Sequence, residues 1–98
     1  GAYIEKHNSI DLIITKKIQK SLKNVPTINN FNDLLAEIDN VTGLNKKAGL
    51  LLKNITSFNI SKIREICKRL YSSDKEEIKT STHFKRCVMY IDLMENYF

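Results

Sequence analysis

The chain predicts an all-α fold, a compact bundle of about five helices, on three observations. Apolar residues recur at spacings of three and four. No segment alternates with period two over the length of a strand. Breakers are scarce, with three glycines and one proline in 98 residues. That length suits one domain with one core, so residues 1–98 read as a single unit. A composition of 42% hydrophobic and 28% charged residues favours a folded chain over a disordered one. Gly1-Ala2 reads as an expression-vector remnant, and the rest as a domain cut from a longer protein.

Behind Ser9, an N-cap residue type, Ile10, Ile14, Ile18 and Leu22 recur every four residues and predict a first helix near residues 9–23. Val25-Pro26-Thr27 ends it, since proline lacks a donor and restricts its predecessor. Thr27 is the expected cap of a second helix with Ile28, Phe31, Leu34, Leu35 and Ile38 on one face. Thr42-Gly43 is the next break. Leu44, Ala48, Leu51, Leu52 and Ile55 mark a third helix. After Thr56-Ser57-Phe58, Asn59 is the expected cap of a fourth, carrying Ile63, Ile66, Cys67 and Leu70. Ser73 to Glu76 has capping-box spacing and predicts a helix start or a short extra turn. Residues 79–98 supply an additional C-terminal helix, following Thr82, with Phe84, Val88, Ile91, Met94 and Phe98 facing inward.

Catalytic chemistry finds little material. His7 and His83 have no Cys, Asp or Glu at metal-ligand spacing, so neither metal nor cofactor is expected. Cys87 and His83 share a helix face at i and i+4, but a core thiol beside a solvated imidazole is the simpler reading. Glu76 and Glu77 are sequence neighbours on different helix faces, and no glycine-rich phosphate loop exists. The chain is read as a non-enzyme without a small-molecule substrate. Cys67 and Cys87, twenty residues apart, read as buried reduced thiols, which suits the nucleus or cytoplasm. No apolar run approaches the roughly 20 residues that span a membrane.

The net charge of +5 favours an acidic partner, either a protein segment or a nucleic acid. Lysines stud the first helix (Lys16, Lys17, Lys20, Lys23) and the third (Lys46, Lys47, Lys53); the fourth carries Lys62, Arg64, Lys68 and Arg69. Nucleic-acid readers add aromatic stacking platforms, and with Phe31 and Phe84 at core positions none is expected here. Beside the fourth-helix entrance, Phe58 and Ile60 flank one polar residue. With Ile63 four positions into the helix, Phe58 is spaced as a hydrophobic staple; alternatively the pair offers a grip to a partner.

The run LKNITSFNISKIREICKRLY resembles the fourth-helix region of the integrase-binding domains of lens epithelium-derived growth factor and its hepatoma-derived relatives. KIQKSLK and FNDLLAEIDNVT are similar to the first two helices of those domains. They belong to the TFIIS N-terminal-domain class of transcription elongation and chromatin proteins. The likeness covers residues 9–75 and rests on apolar spacing with a few identities, among them Ser21-Leu22-Lys23, Leu52-Lys53, Phe58, Ser61 and Leu70-Tyr71. It implies a nuclear protein-interaction module that binds short, disordered, acidic motifs containing phenylalanine, often Phe-x-Gly-Phe, between two interhelical loops. In this chain those loops are Asn24 to Thr27 and Ile55 to Asn59. The implied contacts are Asn24, Val25, Ile55, Phe58, Asn59 and Ile60, with Lys23, Lys53 and Lys62 as an electrostatic rim. Where the family carries an aspartate in the first loop, this chain has Asn24, whose amide oxygen is a weaker acceptor than a carboxylate. Two alternatives stand beside this reading: a basic helical domain that binds nucleic acid directly, and a structural domain that self-associates through its last helix.

Overall fold

A computed structural model describes residues 10–97, with side chains through residue 95. Its architecture is a small all-α bundle, without a strand among the described residues. Residues 10–13 are helical, followed by α1 (Lys16–Ser21), α2 (Phe31–Asn40), α3 (Leu44–Lys53), α4 (Ile60–Ser73) and α5 (Thr82–Tyr97). Two 3-10 turns, Ile55–Ser57 and Lys75–Glu77, lie before and after α4. Ser9, Gly1-Ala2, His7 and Phe98 fall outside the described residues.

The helix α3 is the hub. It buries Leu44, Ala48, Gly49, Leu50, Leu51 and Leu52, leaves Asn45 and Lys46 exposed, and packs against α2 and most extensively against α5. So wide an apolar face on a ten-residue helix puts it at the centre of the packing. Its entrance depends on Gly43, whose φ of 94° lies in the left-handed region that suits glycine. Gly43 brings no capping side chain. Instead Glu77, from the distant 3-10 turn, accepts from the Leu44 amide at 3.3 Å, placing a carboxylate where the helix dipole favours one. At the other end of α2, Lys47 donates to the Ile38 carbonyl at 2.9 Å.

The first expected helix is broken rather than continuous. Thr15 is extended and its hydroxyl accepts from the Ile18 amide at 3.2 Å, starting α1 anew. The carbonyls this frees are met by other side chains. Arg86 on α5 donates to those of Leu12 and Ile13, and Gln19 to that of Ile14 at 3.3 Å. The break rotates the apolar stripe: Ile13, Ile18 and Leu22 are buried, whereas Ile10 and Ile14 are only half-buried. The four-residue periodicity carried no sign of it, because the break is held by polar side chains, Thr15, Gln19 and the distant Arg86, that lie off the apolar stripe.

Other boundaries shift in the same way. The cap of α2 is Asn30, not Thr27; its side chain accepts from the Asp33 amide at 3.1 Å. Asn59 caps α4 as expected, accepting from the Lys62 amide at 3.0 Å. Ser73 ends α4 and bonds to Leu70 and Asp74 instead of closing a capping box, although a short turn does follow. Ser81, only 2% exposed, accepts from the Phe84 amide at the start of α5 and donates to Asn45 of α3. Along α5, Phe84, Ile91 and Met94 face inward with Cys87, Tyr90 and Leu93, but Val88 points outward at 37% exposure beside Met89.

Cys67 and Cys87 are free and buried. Burial, followed by contact with Cys67, holds the Cys87 thiol well above the ordinary range. Cys87 donates to the Ala48 carbonyl at 3.6 Å, while His83 faces the Asn45 carbonyl and the Ser21 hydroxyl, so the two do not share a hydrogen bond. An unfolded thiol ionises near pH 8.5, so above that pH unfolding releases a proton and folding loses stability as pH climbs. In the folded chain, iodoacetamide at about pH 8 should leave both thiols unlabelled for as long as the fold persists, and denaturant should expose them at once. Labelling of Cys87 at the rate of a free thiol would contradict this packing.

Candidate functional site: two loops clamped by a buried asparagine

The two loops flanking the sequence-predicted site come from different parts of the chain, and Asn54 joins them. This residue follows α3 and is 1% exposed. Its Oδ1 accepts from the Ile28 amide at 2.7 Å. Its Nδ2 donates to the carbonyls of Pro26 at 3.1 Å and Leu50 at 2.9 Å. Both amide protons and the oxygen are therefore used, and the pattern of one N–H and two carbonyls fixes which end is oxygen. The loop before α2 has no ladder of its own here, so Asn54 satisfies backbone groups that burial would otherwise orphan.

On this frame Ile55 is buried at 1% exposure, a core residue rather than a contact surface. Phe58, Ile60 and Val25 are half-buried and pack against the core from its edge. Asn24 is exposed. Asn59 spends its side-chain oxygen on the Lys62 amide and the Ser61 hydroxyl, at 3.0 and 2.7 Å, which makes it a helix cap first. Phe58 is thus both a partial anchor for the α4 entrance and a surface residue.

Phe31 was expected in the core and is instead half-buried, edge-to-face with Phe58 at 5.9 Å between ring centroids. The Lys62 ammonium sits 4.8 Å from the centre of the Phe31 ring. Partly exposed aromatics therefore exist after all, and they adjoin the predicted site. The expected lysine rim divides. Lys62 belongs to the Phe31–Phe58 pair, whereas Lys23 and Lys53 line a different groove together with Thr56, Leu22 and Leu52.

Comparison with family models, with curated proteins and with solved structures returns no match to this chain. The reading of the site therefore rests on its geometry. Among the described residues no helix is long and apolar enough to cross a membrane, and no three His, Cys, Asp or Glu side chains gather as metal ligands would.

Sequence reasoning passed over Asn54 because KNI reads as a polar loop. Its position was a usable signal: it falls four residues after Leu50 and three after Leu51, on the core side of α3. Phe31 was missed because it opens α2, where a residue at core spacing reaches the edge of the bundle before its interior.

Removing the Asn54 amide leaves the buried Ile28 N–H and Leu50 carbonyl without this partner, at about 1–3 kcal/mol for each buried group left unmet, while the carbonyl of exposed Pro26 can turn to water. Asn54→Ala is expected to cost about 3 kcal/mol in denaturant unfolding. Asn54→Asp should cost more at neutral pH, since a carboxylate would face two carbonyl oxygens. An Asn54→Ala melt within about 0.5 kcal/mol of the parent chain, the range of ordinary surface changes, would contradict the clamp.

Proposed function

We propose that this chain is a docking module of the TFIIS N-terminal-domain class, binding short acidic segments that carry a phenylalanine. We place it in the nucleus, among transcription elongation and chromatin proteins. The observation that carries this reading is the half-buried Phe31–Phe58 pair, with Lys62 over Phe31, beside a loop held in place by Asn54. A partner's aromatic ring gains burial against Phe58 and Ile60. The excess of 16 Lys and Arg over 11 Asp and Glu draws acidic flanks toward the surface and speeds encounter. Exposed Asn24 offers an amide oxygen in the first loop that can accept from a partner's backbone. The all-α bundle suits the resemblance that first suggested the reading.

Two alternatives have specific support. Five lysines gathered along one groove favour nucleic acid. The outward Val88 and Met89 on α5 favour self-association. Both are separable from peptide docking by experiment.

Phe58 is only half-buried, so Phe58→Ala should cost about 1–2 kcal/mol of stability, against about 3 or more for Phe84→Ala in the core. Titrated by NMR with an acidic Phe-x-Gly-Phe peptide at about 0.15 M salt, the parent chain should show shifts around Phe31, Phe58 and Ile60. Phe58→Ala should weaken that binding about tenfold, the loss of an aromatic anchor worth about 1.4 kcal/mol or more. Ile60→Ala should act more mildly, and Asn24→Ala should weaken binding with little change in stability. A DNA duplex that binds more tightly than the peptide, with a steep salt slope, would overturn docking in favour of nucleic acid. Concentration-dependent dimerisation abolished by Met89→Lys would favour self-association.

A further inference from the structure

A second surface is distinct from the first, and none of Phe31, Phe58, Ile60 and Lys62 lines it. It is a groove running along the broken N-terminal helix and across to the end of α3. Half-buried Ile10 and Ile14 form its floor, with the edges of Leu22 and Leu52 beneath. Lys16, Lys17, Lys20 and Lys23 line it from α1 and the turn after it, and Lys53 from the end of α3. Asp11 is the single carboxylate on the lining, and no carboxylate of the described residues forms an ion pair with the five lysines.

The groove is held open by the helix break. Were residues 10–23 one straight helix, Ile14 would lie about 40° around the axis from the buried Ile18, on the same side of the helix. Thr15 and Arg86 end the first turn instead, and the floor turns partly outward. Arg86 reaches it from α5, so the opening is fixed by the tertiary fold.

We infer that this groove docks an acidic amphipathic helix of a partner protein. An apolar floor between cationic walls matches a ligand with an apolar stripe and carboxylates on both flanks. The occupant's backbone decides between helix and strand. The lysine side chains offer donors but no acceptors, and the floor offers neither, so the groove has no ladder of paired backbone groups. A segment buried here must satisfy its own N–H and C=O groups, as a helix does and an extended strand does not. A bare polyanion would meet the lysines but leave the isoleucine floor wet.

The probe is a synthetic peptide of about 18 residues, long enough to hold helix, with leucines at i, i+3, i+4 and i+7 and glutamates between them. Polyglutamate of equal length and a DNA duplex are the comparators, each titrated into labelled chain at about 0.15 M salt. The amphipathic peptide should shift the amides of Ile14, Lys20, Lys53 and Thr56, and bind at least about tenfold more tightly than polyglutamate. Lys16→Gln combined with Lys20→Gln, both exposed, should weaken it several-fold while leaving Phe-x-Gly-Phe binding within about twofold, since at this salt the smaller charge change reaches that surface only weakly. That last comparison separates this groove from the Phe31–Phe58 surface, so either can fail alone. Equal binding by polyglutamate, tighter binding by the duplex, shifts confined to Phe58 or Met89, or no shift at millimolar peptide would each overturn the proposal.

Discussion

The arrangement of this molecule's candidate surfaces depends on one buried amide. Asn54 sits at the exit of the central helix and bonds at once to Ile28, Pro26 and Leu50. The segment before α2 has no regular structure, and a loop with buried backbone groups needs partners from elsewhere. Asn54 supplies them from across the chain. The first loop is thereby tied to the residue that leads directly into Ile55 and Phe58. Fixing both loops beforehand lowers the ordering cost that a partner meets on binding.

The same logic recurs at the helix ends. Glu77 meets the start of α3, Asn45 the start of α5, Lys47 the end of α2, and Arg86 the end of the first turn. Each of these contacts is made by a side chain on another element. The exposed ion pairs, Arg64–Glu95 and Arg69–Asp39, contribute little by comparison, since such pairs are worth about 0–1 kcal/mol in water. Polar side chains thus fix where each helix begins and stops, while the leucines of α3 supply the burial.

What was legible in the sequence follows from this division. Helical periodicity is a local property, so α2 through α5 stand close to where the apolar spacing put them, and the Asn59 cap was visible because its target is three residues away. The break at Thr15 and the α2 cap at Asn30 were not visible, since each depends on tertiary partners or on competition between adjacent caps. Phe58 and Ile60 were singled out from their place at a helix entrance, and both are half-buried. Their neighbour Phe31 was assigned to the core because helical spacing identifies a face but not how far that face extends beyond the core's edge. The lysines were visible one by one; their gathering across Lys20 and Lys53 appears only once α1 and the end of α3 are adjacent.

The central claim is that Asn54 makes the two loops one rigid frame, and the Ile28 amide reports on it directly. That N–H precedes α2 in an irregular segment, and its bond is to the Asn54 side chain. In native-state hydrogen exchange the account predicts Ile28 protection close to that of core amides such as Leu51, because opening requires the bundle to loosen. Exchange at the rate of a free loop, while Leu51 stays protected, would contradict it.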